Sequence, residues 1–139
     1  MNWKLILQLS LFGLVMGVAT VFVISSSVEP FCWLVVFLIS AYAIARGAPG
    51  RPFLHGVCVG LANSVWVTGA HMLLLGRYLA GHAREAAMMS SMPMPTHPRL
   101  MMALMGPVIG LLSGIVLGVF AAVATRLVRP AGVAATSGA

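Results

Sequence analysis

The chain has almost no acid. Of its 139 residues only Glu29 and Glu85 carry a side-chain carboxylate, and aspartate is absent. Chemistry that needs several positioned acids is therefore excluded: multi-carboxylate metal cages, two-metal phosphoryl transfer, Ser/His/Asp catalysis. No enzyme is expected. Cysteine is nearly as scarce. Cys32 and Cys58 both lie inside apolar runs and no CxxC occurs, so they read as small buried hydrophobes, not as a thiolate zinc or redox motif.

Charge of either sign is also rare. Charged residues make up 7% of the chain, against about 25% in a soluble domain. Hydrophobic residues make up 60%, and the mean hydropathy is +1.04. So few charges cannot cover a soluble surface, and so apolar a chain is not disordered. The net charge of +6 does not point to nucleic acid. A nucleic-acid face clusters Lys and Arg among aromatics, whereas here they stand singly at the ends of apolar runs, and no nucleic-acid partner is expected.

What is present is length in the apolar runs. About 20 apolar residues in a helix span the roughly 30 Å hydrocarbon core. Four runs meet that need: residues 5–24, 28–45, 53–75 and 100–125. Helices are favoured because each satisfies its own backbone in lipid, and the runs lack the alternation of barrel strands. The sequence thus predicts an all-α polytopic membrane protein, four transmembrane helices in an antiparallel bundle, forming a single domain over 1–139. Residues 76–99 form one long outer loop, with Thr96 and Pro98 as the cap and first turn of the last span. Residues 129–139 form a frayed tail. The first run exceeds the about 7–15 apolar residues of a secretory leader and lacks a clean cleavage motif, so it reads as a span.

The basic residues predict orientation. With both termini cytoplasmic, Lys4, Arg46, Arg51, Arg126 and Arg129 lie inside. Arg77, Arg84 and Arg99 lie outside with both glutamates. The positive-inside rule favours this arrangement in the inner membrane of a cell.

Small residues recur at helical spacing. Gly106, Gly110, Gly114 and Gly118 fall every fourth residue, a glycine-zipper pattern lining one face of the fourth span. Gly56, Gly60, Ser64 and Thr68 repeat it in the third, and Gly13 and Gly17 mark the first. Such grooves let backbones approach closely in lipid. They serve either packing within one bundle or a subunit interface, and a homo-oligomer enclosing a path between subunits is the expectation from the second use. Pro107 interrupts the fourth span and reads as a kink or hinge.

Polar side chains inside a membrane are candidate functional groups. The third span places Asn63 and Ser64 at its middle, with Thr68 and His71 toward the outside. Ser113 lies at similar depth in the fourth span, and Gln8 and Ser10 sit in the first. Asn63, Ser64, Thr68, His71 and Ser113 are the predicted substrate or ion path; interhelical hydrogen bonding is the alternative use. His55, beside Arg51, reads as a wet interfacial histidine.

The outer loop concentrates methionine: Met88, Met89, Met92 and Met94, followed by Met101, Met102 and Met105. Thioethers select Cu(I), and imidazole suits copper. His82, Glu85, His97, Met92 and Met94 are therefore candidate metal ligands, with His82 and Glu85 one helical turn apart. Flexible methionine equally suits a surface lying on the bilayer or docking a partner. Three functions follow as expectations: conduction or transport of a small ion or solute, a scaffold or accessory subunit holding another membrane protein, and extracytoplasmic copper handling.

Overall fold

The computed structural model describes residues 1–93 and 96–128. These form six helices and no strand: α1 (Trp3–Phe22), α2 (Glu29–Gly47), α3 (Pro52–Leu73), α4 (Leu75–Gly81), α5 (Ala83–Ser90) and α6 (Pro98–Leu127). α1, α2, α3 and α6 are long and apolar enough to cross a membrane, and the chain is a multi-pass membrane protein. At 1.5 Å per residue, the 30-residue α6 is about 45 Å long, so it outreaches the hydrocarbon core unless tilted.

Local chemistry sets the helix ends. Asn2 caps α1, its side-chain oxygen accepting from Leu5 N–H at 3.1 Å. Pro30, Pro52 and Pro98 lie in the first turns of α2, α3 and α6, where a missing N–H costs nothing. The last helix begins earlier than its apolar run. His97, not Thr96, occupies the cap position, and no side chain caps it. The expected outer loop is also largely helical. Tyr78 N–H bonds Leu74 C=O and Ala86 N–H bonds His82 C=O, so the segment folds into α4 and α5. Its mixed polarity gives no span-like signal. Residues 94, 95 and 129–139, including Met94, Arg129 and the tail, lie outside the described residues.

The spans bury small and polar groups and expose large apolar ones, as a bilayer solvent requires. On α1, Leu7, Leu11, Val15 and Phe22 are exposed while Ser10, Gly13, Gly17 and Thr20 are buried. Gln8 is exposed on the outward face of α1 and takes no part in the interior.

α3 lies between α1 and α6, and α2 leans mainly on α6. Gly56 faces Gly118, Gly60 faces Gly114, Ser64 faces Gly110, and Thr68 faces Gly106. One number rises by four as the other falls by four, so α3 and α6 run in opposite directions. The glycine face of α6 is thus filled from within the same chain. Against α1 the register rises on both sides: Asn2 meets His55, Gly13 meets Asn63, and Thr20 meets His71. α1 and α3 therefore run in the same direction. A Cβ on Gly13 would stand 2.7 Å from Asn63 Cα; only glycine allows that approach.

The core of large side chains sits at the end of the bundle opposite α4 and α5. Ile6, Leu9, Ala41, Ile44, Val59, Leu117 and Ala121 form it. Phe37 meets Phe120 edge-on at 6.4 Å, joining α2 to α6.

Candidate functional site

At the α4–α5 end the same helices diverge. α2 buries only residues from Val36 onward; its first two turns bury none and stand off from α3. The gap is a partly open cavity of about 570 Å³, within the roughly 300–1,000 Å³ typical of ligand pockets.

α3 supplies its polar wall. Asn63, Ser64, Thr68 and His71 all line it, and Ser113 completes the set from α6. The five residues predicted as a path are brought to one space. Their hydrogen bonds differ. Ser64 and Ser113 bond their own helices, to Leu61 C=O at 2.8 Å and Gly110 C=O at 3.2 Å. Asn63 Oδ1 accepts from Gly13 N–H at 3.1 Å, and Asn63 Nδ2 is buried with no partner among the described residues. His71 Nε2 lies 2.8 Å from Thr20 Oγ1. That hydroxyl is also 2.9 Å from Met16 C=O, and its single proton serves one of the two.

The mouth carries both of the chain's carboxylates. Glu29 and Glu85 line it, each half-buried. Trp33 Nε1–H donates to Glu29 at 3.1 Å, one helical turn away. Ser26 Oγ donates to Glu85 at 3.0 Å, tying α5 to the turn after α1. Met88, Met89 and Met92 of the α5 segment and Met101, Met102 and Met105 of α6 supply flexible apolar wall. Tyr78 of α4 stands between two imidazoles, stacked 4.0 Å from His71 and 4.5 Å from His82. Burial, reinforced by the charges of Glu29 and Glu85, pushes its hydroxyl from the usual 10.0 up to about 12. The phenol therefore stays a neutral donor at physiological pH.

The candidate metal ligands are only partly gathered. Glu85 and Met92 line the cavity. His82 turns away from Glu85: its Nδ1–H donates to Tyr78 C=O at 2.9 Å, and its ring is buried behind Tyr78. His97 is exposed and bonds Thr96 at 2.9 Å. Met94 lies outside the described residues. Among those residues no group of three His, Cys, Asp or Glu side chains is placed to hold a metal.

His55 is not at a wet surface. It is 4% exposed, accepts from Asn2 N–H at Nε2 (2.9 Å) and donates from Nδ1 to Arg51 C=O (2.8 Å). It fastens the start of α1 to the start of α3.

Glu29, Trp33, Phe37 and Tyr78 join the site without having been singled out by polarity inside a span. For three of them a signal exists in the sequence. Glu29, Trp33 and Phe37 recur every fourth residue and so share one face of α2. Tyr78 has no such signal, because its position depends on the fold of α4.

Fold and cavity together define a multi-pass membrane protein with a partly open, largely apolar internal cavity that carries a polar stripe from α3. No family model, curated protein or solved structure matches the chain.

Proposed function

We propose that the protein transports a small solute through this cavity. The observation that supports the reading is convergence: every polar side chain expected along a path lines a single space, which stops near mid-span. Beyond its floor the helices close on Ile44, Val59 and Leu117, each fully buried. A cavity closed on one side suits alternating exposure better than a standing channel. Pro107 follows Gly106, which lines the cavity, and cannot donate to Ala103 C=O; α6 is the natural place for the bundle to flex.

In this reading both termini are cytoplasmic, and the cavity opens on the outer face of the inner membrane, following the basic residues. One chain holds the whole site. The glycine faces of α1 and α6 pack on α3, and that of α3 packs on α6, so a homo-oligomer or a partner helix that used them would have to unpack the bundle, and a subunit interface in this reading uses other surface.

Proteoliposomes test the proposal. A panel of small cations, anions and neutral solutes should reveal flux for at least one class. Ser113→Phe, which fills the floor from a residue bonded only to its own helix, should reduce that flux at least about tenfold while leaving the protein monodisperse. Absence of flux across the panel, or full flux in the Phe variant, sinks the reading.

A further inference from the structure

We infer that the cavity binds an organic cation with an apolar body, its charged head at the mouth and its tail toward Asn63. This deepens the transport reading by naming the substrate class.

Charge placement is the first argument. The chain carries a net +6, yet both of its acidic side chains line this one cavity and, among the described residues, no Lys or Arg does. The hydrogen bonds given to the carboxylates come from neutral donors, Trp33 and Ser26. Their charge is therefore left to act on whatever occupies the mouth. Apolar walls focus such a field and strengthen it relative to water.

The walls select the kind of cation. A compact, strongly hydrated ion needs a dense shell of oxygens to replace its water, and methionine thioethers and aromatic rings do not provide one. A cation with diffuse charge and an apolar body loses little hydration. It gains from aromatic rings, here Trp33 and Phe37, and from flexible methionines that shape themselves to it.

The floor adds an independent mark. Asn63 is 4% exposed and lines the cavity, and its Nδ2 donor is unpartnered among the described residues. A buried donor without a partner is costly, so turning this amide toward the cavity favours a ligand with a hydrogen-bond acceptor at its inner end. From Asn63 to His71, which stacks on Tyr78 at the mouth, α3 rises about 12 Å. The ligand is an elongated amphipath of that length.

The test uses the full chain in nanodiscs of neutral lipid, with empty nanodiscs as the partition control. The probes are an ω-hydroxyalkyl trimethylammonium long enough to reach Asn63, and the carboxylate of equal length. The ammonium should bind saturably at about one per chain and the carboxylate should not. Glu29→Gln with Glu85→Gln should weaken ammonium binding at least about tenfold. Removing the probe's hydroxyl should weaken binding to the wild-type chain several-fold. Saturable binding of the carboxylate, or an affinity unchanged by the two Gln substitutions, overturns the inference; the probe pair decides even where that variant does not fold. Stoichiometric Cu(I) binding that displaces the ammonium and is lost in Met88→Leu/Met89→Leu/Met92→Leu also overturns it, in favour of a metal site. Ammonium binding without flux in proteoliposomes leaves this inference standing and removes the transport reading. Flux without preference for cations does the reverse.

Discussion

The two halves of the bundle are built from the same helices and packed by different rules. Glycines bring α1, α3 and α6 together along both halves, but in the half away from α4 and α5 large side chains also seal what remains against α2. Ile44, Ala45, Val59, Leu117 and Ala121 are all at 0% exposure. In the half next to α4 and α5, α2 offers Glu29, Trp33 and Phe37 instead of small residues. These side chains hold the helix off and leave space. Close packing needs small residues on both sides of an interface, and α2 lacks them there. The cavity is thus a consequence of side-chain size along one face of α2, and the polar groups of α3 are left facing it.

The largest predicted effect comes from adding one methyl group on the α3–α6 seam, compared with an open face of α3. A Cβ on Gly114 would lie 2.8 Å from Val57 C=O and 3.0 Å from Val57 Cα. Gly114→Ala should cost about 1–3 kcal/mol by overpacking. A Cβ on Gly69 of α3 would meet nothing within 4 Å, so Gly69→Ala should be neutral or stabilise by up to about 1 kcal/mol through helix propensity. Thermal unfolding in detergent measures both. Equal effects at the two positions would mean that the α3–α6 seam is no tighter than an open face of α3.

A smaller difference is expected on removing apolar bulk. Leu117 is fully buried, whereas Ile109 on the cavity edge is 59% exposed. Leu117→Ala should destabilise by about 2 kcal/mol, the low end for such a truncation. Lipid is as apolar as the core, so chiefly the packing loss remains. Ile109→Ala should stay within about 0.5 kcal/mol. A cost at Ile109 matching that at Leu117 would mean that the open half is as tightly filled as the closed one.

The smallest effect concerns Tyr78. Its raised pKa favours the neutral phenol in the folded state, so it adds stability that is fully present below pH 10 and lost as pH rises toward about 12. Ultraviolet titration should show a tyrosine ionising near 12 that is absent in Tyr78→Phe. Glu29→Gln with Glu85→Gln should lower that value only in part, because burial is the larger cause. A return to 10 in this variant would assign the shift to charge alone and place Tyr78 in a more open site than the structure shows.

Much of this was legible along the chain. The four spans follow from apolar length, and their ends from Asn2, Pro30, Pro52 and Pro98. Asn63, Ser64, Thr68, His71 and Ser113 stand out because polarity is rare in lipid. The glycine spacing announced close approach but not its partner, since a groove looks the same whether a neighbour in the chain or another subunit fills it. His82 and Glu85 show the limit of spacing. One turn apart in sequence, they part because His82 ends α4 and bonds Tyr78, while Glu85 reaches Ser26 across the fold. The helical character of the 75–90 segment was hidden by its mixed polarity, which gives no span-like signal.

The sequence by itself determined the solvent of this protein. Two acids and long apolar runs admit only a bilayer, because backbone and side chains must then be satisfied by helices and by lipid. Tertiary structure alone decided which faces meet. α3 takes α1 and α6 as neighbours through complementary small residues, and α2 is held away at one end by its own bulk. That packing places both carboxylates of an otherwise basic chain at the mouth of one cavity, a juxtaposition of residues 56 positions apart that no local pattern encodes.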